Sequence, residues 1–209
     1  MLKQGTNNVK LHGIAVAFAN GDVVYHSLPS GYTEVNYVRG NANAWFETNL
    51  YMTSDGEVIA DIQFEGSAGN TYGCYSGSSA SNNFCLYAGS PSTSAYIRYN
   101  GEVKRAFTAA NGTRYKTIHN KNGFWANGVQ YAEAFSENTF TCTEHFMVGQ
   151  LSGSTSAKFK GRIYRLTVKD NGQTVMDLVP CKNGSDVYGM YDVVGRHFYT
   201  SAGTAFTGG

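Results

Sequence analysis

The feature that most constrains this chain is a strict alternation over residues 57–65. Val58, Ala60, Ile62 and Phe64 take every second position, while Glu57, Ile59, Asp61, Gln63 and Glu65 take the others. Side chains point to opposite faces of a strand in turn, so such a run buries one face and leaves the other wet. A helix would scatter the same four apolar residues around its circumference. Further segments with strand character recur at 84–88, 95–99, 103–108, 114–120, 124–126, 129–134, 144–150, 158–169, 174–178, 188–191 and 197–200. Asn100-Gly101, Asn127-Gly128 and Asn171-Gly172 fall between neighbouring segments. Asn-Gly is favoured in two-residue hairpin turns because both central positions need positive φ. Many short strands without helical periodicity predict an all-β, two-sheet antiparallel jelly-roll sandwich.

Composition agrees with that class and narrows the partners. The 25 glycines and 15 tyrosines stand beside only 3 prolines, and 15% of residues are charged, which suits strands and tight turns. A length of 209 residues fits one sandwich core. A net charge of +1 supplies no field to hold phosphates or anionic lipid, so neither nucleic acid nor membrane is an expected partner. Lys3 and Lys10 precede an apolar stretch ending in Ala17-Phe18-Ala19, a leader-like arrangement, but His12 and Gly13 interrupt it and cleavage is not expected.

Residues 1–30 read as an N-terminal hairpin arm and 31–209 as the sandwich. Ile14, Val16 and Phe18 alternate, Asn20-Gly21 signals a turn, and residues 23–25 begin a return strand. An arm of thirty residues cannot bury a core alone, so the Ile14, Val16 and Phe18 face is expected to serve as an assembly surface.

Four cysteines, Cys74, Cys85, Cys142 and Cys181, have neither zinc-site spacing nor the density of a disulfide scaffold, and read mainly as buried small residues. Cys74 and Cys85 could face each other across a hairpin, but spacing does not decide pairing. His12, His26, His119, His145 and His197 form no ligand-spaced pair, so no metal and no cofactor is expected. Tyr72, Tyr75, Asn82 and Asn83 lie in or beside a Gly/Ser-rich stretch, where exposed rings and amides would suit a glycan. Trp45 and Trp125 are expected in the core or between the sheets.

The C-terminal runs Gly161-Arg-Ile-Tyr-Arg-Leu-Thr-Val168, Asp177-Leu-Val-Pro-Cys181, Gly189-Met-Tyr-Asp192 and Phe198-Tyr-Thr-Ser-Ala-Gly-Thr204 resemble the closing strands of LamG-like, concanavalin A-like jelly-roll domains. Residues 32–40, 46–49 and 121–128 resemble earlier parts of the same family. Such domains are common in phage and prophage virion proteins. The resemblance implies a virion component of head or tail, displayed on the virion surface, and the lack of a recognisable catalytic centre in the sequence makes it non-enzymatic. Its partners would be other virion proteins or copies of itself, and a host-surface or mucosal glycan. The alternative is a bacterial carbohydrate-binding module, secreted or on the cell surface. A glycoside hydrolase or lyase ranks third: the family's glucanase branch sets carboxylates at i, i+2 and i+4, whereas here Gln63 stands between Asp61 and Glu65. No catalytic residue is assigned.

Overall fold

The computed structural model describes residues 14–17, 23–65, 69–74, 81–88, 94–136, 139–151 and 159–209. Among them there is no helix, and the strands form an eleven-stranded and a six-stranded antiparallel sheet, with a separate two-stranded hairpin. The two large sheets make a sandwich, as the alternation predicts.

The strand Gly56–Phe64 is central to the larger sheet. On one side it pairs with Arg114–Asn120, followed by Gly123–Ala126 and the edge strand Val129–Ala132. On its other side lies Lys160–Asp170, then Gln173–Asn183, Tyr188–Asp192 and His197–Tyr199. The smaller sheet runs Glu102–Thr108, Ser94–Tyr99, Phe84–Ala88, Gly69–Cys74, Met147–Val148 and Phe46–Glu47. Val58, Ala60, Ile62 and Phe64 are all buried and meet the inner residues of the smaller sheet, Phe84, Leu86 and Ile97 among them, in one core.

The turn chemistry behaves as its residues dictate. Asn127 and Gly128 have φ of 50° and 81°, and Asn100-Gly101 and Asn171-Gly172 adopt the same pair of left-handed conformations. Gly123 is glycine for another reason. A Cβ there would stand 2.1 Å from the carbonyl oxygen of Ala132.

Three expectations need correction. The segment 174–178 belongs to a longer strand, Gln173–Asn183, that includes Pro180. Its carbonyl accepts the Val35 amide, so its nitrogen faces the same side of the strand. There pairing with Lys160–Asp170 has ended at Leu178, and pairing with Tyr32–Glu34 begins only at Cys181. The segment 144–150 yields only the two-residue strand Met147–Val148. The reading of the cysteines as buried small residues holds for Cys85 and Cys181 but not for Cys74, whose possible partner Cys85 stays free. Cys74 forms a disulfide with Cys142, and Cys85 and Cys181 are buried free thiols, both pushed up to about 12 by desolvation.

In the arm, Ile14–Ala17 pairs with Val23–His26, aligning Ala17 with Val23. Phe18, Asn20 and Gly21 lie outside the described residues, as do the side chains of Ile14 and Val16.

Candidate functional site

The outer face of the larger sheet gathers the exposed functional groups. Strand alternation sends Phe124 and Ala126 into the core and leaves Trp125 half-buried on the opposite side. Trp125 is aligned with Ile118, Ile118 with Ile59, and Ile59 with Thr167. Neighbouring strands lie ~4.8 Å apart, so these four residues make a row of roughly 14 Å across four strands. Ile118 is 37% exposed. The result is an aromatic and aliphatic stripe on an otherwise charged surface.

Polar residues border the stripe on both sides. On one side Asn120 donates to Glu57 at 2.7 Å, and Lys169 pairs with the same carboxylate at 3.1 Å. On the other, Lys116 and Arg165 flank Asp61 in register. Arg114 grips Asp61 through two hydrogen bonds, Nε to Oδ1 at 2.6 Å and Nη2 to Oδ2 at 2.7 Å. Its guanidinium lies 3.7 Å from the centre of the Tyr164 ring, and the Asp61 bonds hold its pKa above the ordinary value. Tyr164 donates to Gln63 at 2.7 Å. Glu65 faces Arg39 at 2.5 Å and Arg162 at 2.8 Å. Arg165 and Thr167 both donate to Asp177, whose amide donates to Asp192. Asp61 and Glu65 are therefore each held by arginine.

Shallow grooves follow this face. One of about 190 Å³ lies along Ile59, Asp61, Lys116, Arg165 and Thr167. A second, about 350 Å³, is lined by Arg114, Lys116 and Asn127. At the opposite end of the stripe a groove of about 380 Å³ is bounded by Glu57, Asn120, Lys121, Lys169 and Asn171. It adjoins a loop groove of about 410 Å³ lined in part by Ser54, Tyr99, Phe135 and Thr139, the two sharing Asp55 and Lys121, which pair at 3.0 Å.

The tyrosine and asparagine platform expected from the Gly/Ser-rich segment does not form as envisaged. Tyr72 sits in the strand Gly69–Cys74, fully buried, with its ring 5.9 Å from that of Phe146. Burial raises its hydroxyl pKa. Asn83 is also fully buried. Asn82 is half-exposed in a left-handed conformation, its amide donating to Asn100 at 3.1 Å, and Tyr75 lies outside the described residues. The loop-like composition concealed a strand. Gly73 is needed there because a Cβ would meet Cys85 at 2.3 Å.

Neither tryptophan is a fully buried core residue, contrary to expectation: Trp45 is half-buried against the chain at Ser201 and Ala202, and Trp125 lies on the outer face. His119 is wholly enclosed, 4.1 Å from the Phe84 ring, and desolvation lowers its pKa to about 3. His145 contacts Glu47 at 2.6 Å. Among the described residues no group of three or more His, Cys, Asp or Glu could hold a metal.

The outer stripe was missed although one signal marked it. Ile59 occupies a polar-phase position within 57–65, and Ile118 does so within 114–120. An isoleucine on the wet side of two adjacent strands marks an apolar surface patch.

No protein-family model matches the chain, and no curated protein matches its sequence. Among solved structures it is similar to a "putative carbohydrate binding protein" from Bacteroides ovatus, with a TM-score of 0.57 and 13% identity. The match covers 91% of this chain and 64% of that one, so the chain spans less than two thirds of its relative. At that identity the likeness is one of fold.

Proposed function

We propose that the chain is a non-enzymatic carbohydrate-binding module that holds an oligosaccharide across the outer face of its larger sheet. The observation that carries this reading is the Trp125, Ile118, Ile59 and Thr167 row, an apolar strip bordered on both sides by hydrogen-bonding groups. A sugar ring lays its C–H face on such a strip while its hydroxyls reach amides, ammonium groups and carboxylates beside it. Glu57, Asn120 and Lys169 supply those partners at one border, and Asp61, Lys116 and Arg165 at the other. The Bacteroides ovatus likeness supports the same class of function.

Asp61 and Glu65 serve to fix the arginines in place rather than to cleave a glycosidic bond, since hydrolysis needs carboxyl groups ~5–9.5 Å apart and these two, four residues apart along an extended run of chain, start ~13 Å apart. The Cys74–Cys142 disulfide favours an oxidising setting, secreted or on a cell surface. A virion role rests on sequence resemblance alone and therefore ranks second.

A glycan array followed by calorimetry on the best binder tests the proposal. Trp125→Ala should weaken binding by about tenfold or more, as loss of a central aromatic contact does. Binding that is unchanged in that variant would remove the stripe as the site, and turnover of any array glycan would overturn the non-enzymatic reading.

A further inference from the structure

We infer that the glycan held by this face is anionic, and that Lys116 with Arg114 forms the subsite for its carboxylate or sulfate group. The inference rests on the carbohydrate-binding reading and adds the chemical class of the ligand.

The argument begins with charges already satisfied within the sheet. Asp61 is gripped by Arg114, Asp177 by Arg165, and Glu65 by both Arg39 and Arg162. These carboxylates already have cationic partners, and one arginine is left in excess at Glu65. Lys116 adds a further positive charge: its ammonium group has no ion-pair partner among the described residues, and the side chain is exposed. Asp61, its neighbour in register, is turned to Arg114.

The groove of about 350 Å³ at this place is lined by Arg114, Lys116 and Asn127. Asn127 accepts the Lys116 main-chain N–H at 2.9 Å through its side-chain oxygen, which fixes its amide at the groove. Lys116 and Arg114, whose guanidinium already meets Asp61 through Nε and Nη2, line this groove with no carboxylate among its lining residues, which suits an oxyanion better than a neutral hydroxyl. Arg114 is held in place by Asp61 on one edge and the Tyr164 ring on its face, so it is already ordered before ligand arrives.

Distance connects the subsite to the stripe. Lys116 and Ile118 lie two residues apart on the same face of one strand, about 6.6 Å along it. A saccharide resting on Trp125 and Ile118 can thus direct an acidic substituent, on the same ring or the next, toward Lys116.

The test uses the intact protein on an array that sets acidic glycans beside neutral counterparts. Oligogalacturonates are compared with the same oligomers after carboxyl reduction, and sulfated carrageenan oligomers with their desulfated forms. The two pairs separate carboxylate from sulfate as the recognised group. The expected result is about tenfold tighter binding of at least one acidic member than of its neutral partner. That preference should shrink as salt rises. Lys116→Met should abolish the preference, weakening the acidic member about tenfold more than its neutral partner, while Lys116→Arg retains it. Equal binding of acidic and neutral members, sensitive to Trp125→Ala, would overturn this inference and leave the carbohydrate reading standing. Absence of binding to any array glycan would overturn both. Lys116 is exposed, and a melting curve for each variant separates a lost contact from a lost fold.

Discussion

The segment Gly69–Cys74 and the meander 114–132 both carry aromatic residues among small and polar ones, yet they put their rings to opposite uses. Tyr72 lies wholly inside the sandwich, whereas Trp125 is half-exposed on its outer face. Local composition suggests the reverse, since glycine and serine surround Tyr72 and a compact meander surrounds Trp125. What separates them is strand phase. Tyr72 falls on the inward side of a strand in the smaller sheet, while Trp125 falls one residue out of step with Phe124 and Ala126. An aromatic residue becomes available to a ligand when its strand turns it outward, whatever the loop character of its neighbours.

Truncation is the strongest way to break that contrast. Tyr72→Ala should cost about 3–5 kcal/mol by opening a cavity in the core, whereas Trp125→Ala should cost about 1–2 kcal/mol. Chemical denaturation of the two variants checks this. Equal losses would mean that the two rings do not occupy different environments.

The inner region also carries the covalent tie. Cys74 and Cys142 are 68 residues apart in sequence, with Cα atoms 6.3 Å apart. Releasing a loop of that length should cost about 2–4 kcal/mol. Double substitution to alanine, followed by urea denaturation, measures the effect, and an unchanged midpoint would exclude a stabilising bridge.

His119 joins the two regions, because its strand carries Lys116 and Ile118 outward and His119 inward, toward Phe84 and Tyr72. Burial lowers its pKa to about 3, and neither ring nitrogen has a hydrogen-bond partner among the described residues. The unfolded chain, with a pKa near 6.5 at this residue, binds a proton that the folded chain refuses. Stability from this group is therefore complete above about pH 6.5 and declines as pH falls toward about 3. Between pH 7 and pH 5 the loss should be about 2 kcal/mol, and His119→Phe should abolish that portion of the pH dependence. Matching pH profiles for the parent and variant would contradict a neutral, enclosed imidazole.

The smallest effect concerns the turn that returns the Trp125 strand. Gly128 has φ of 81° and open space where a Cβ would stand, so only backbone strain opposes a side chain. Gly128→Val should cost about 1–2 kcal/mol, read from its melting temperature. An unaltered melting temperature would contradict the left-handed turn.

Much of the fold was accessible from residues alone. The 57–65 alternation identified a half-buried strand, and its burial follows every step of that pattern. Three Asn-Gly pairs located three hairpin turns. These features are local: a side chain's face is set by its immediate neighbours along the strand, and φ at a turn by the residues in it. The site was accessible only in part, through Ile59 and Ile118, whose polar-phase positions marked an apolar patch without indicating what lay beside it.

The remaining features depend on strand order. Ile59, Ile118, Trp125 and Thr167 form a row because their strands are neighbours, although Ile59 and Thr167 are more than a hundred residues apart in sequence. Cys74 reaches Cys142 rather than Cys85, and Arg114 reaches Asp61, for the same reason. The sequence by itself determined strand phase and turn conformation, because both arise from short-range sterics and alternating burial. Only the tertiary structure decided which faces combine into a surface and which charges neutralise each other, because those relations are between residues that the chain brings together after folding.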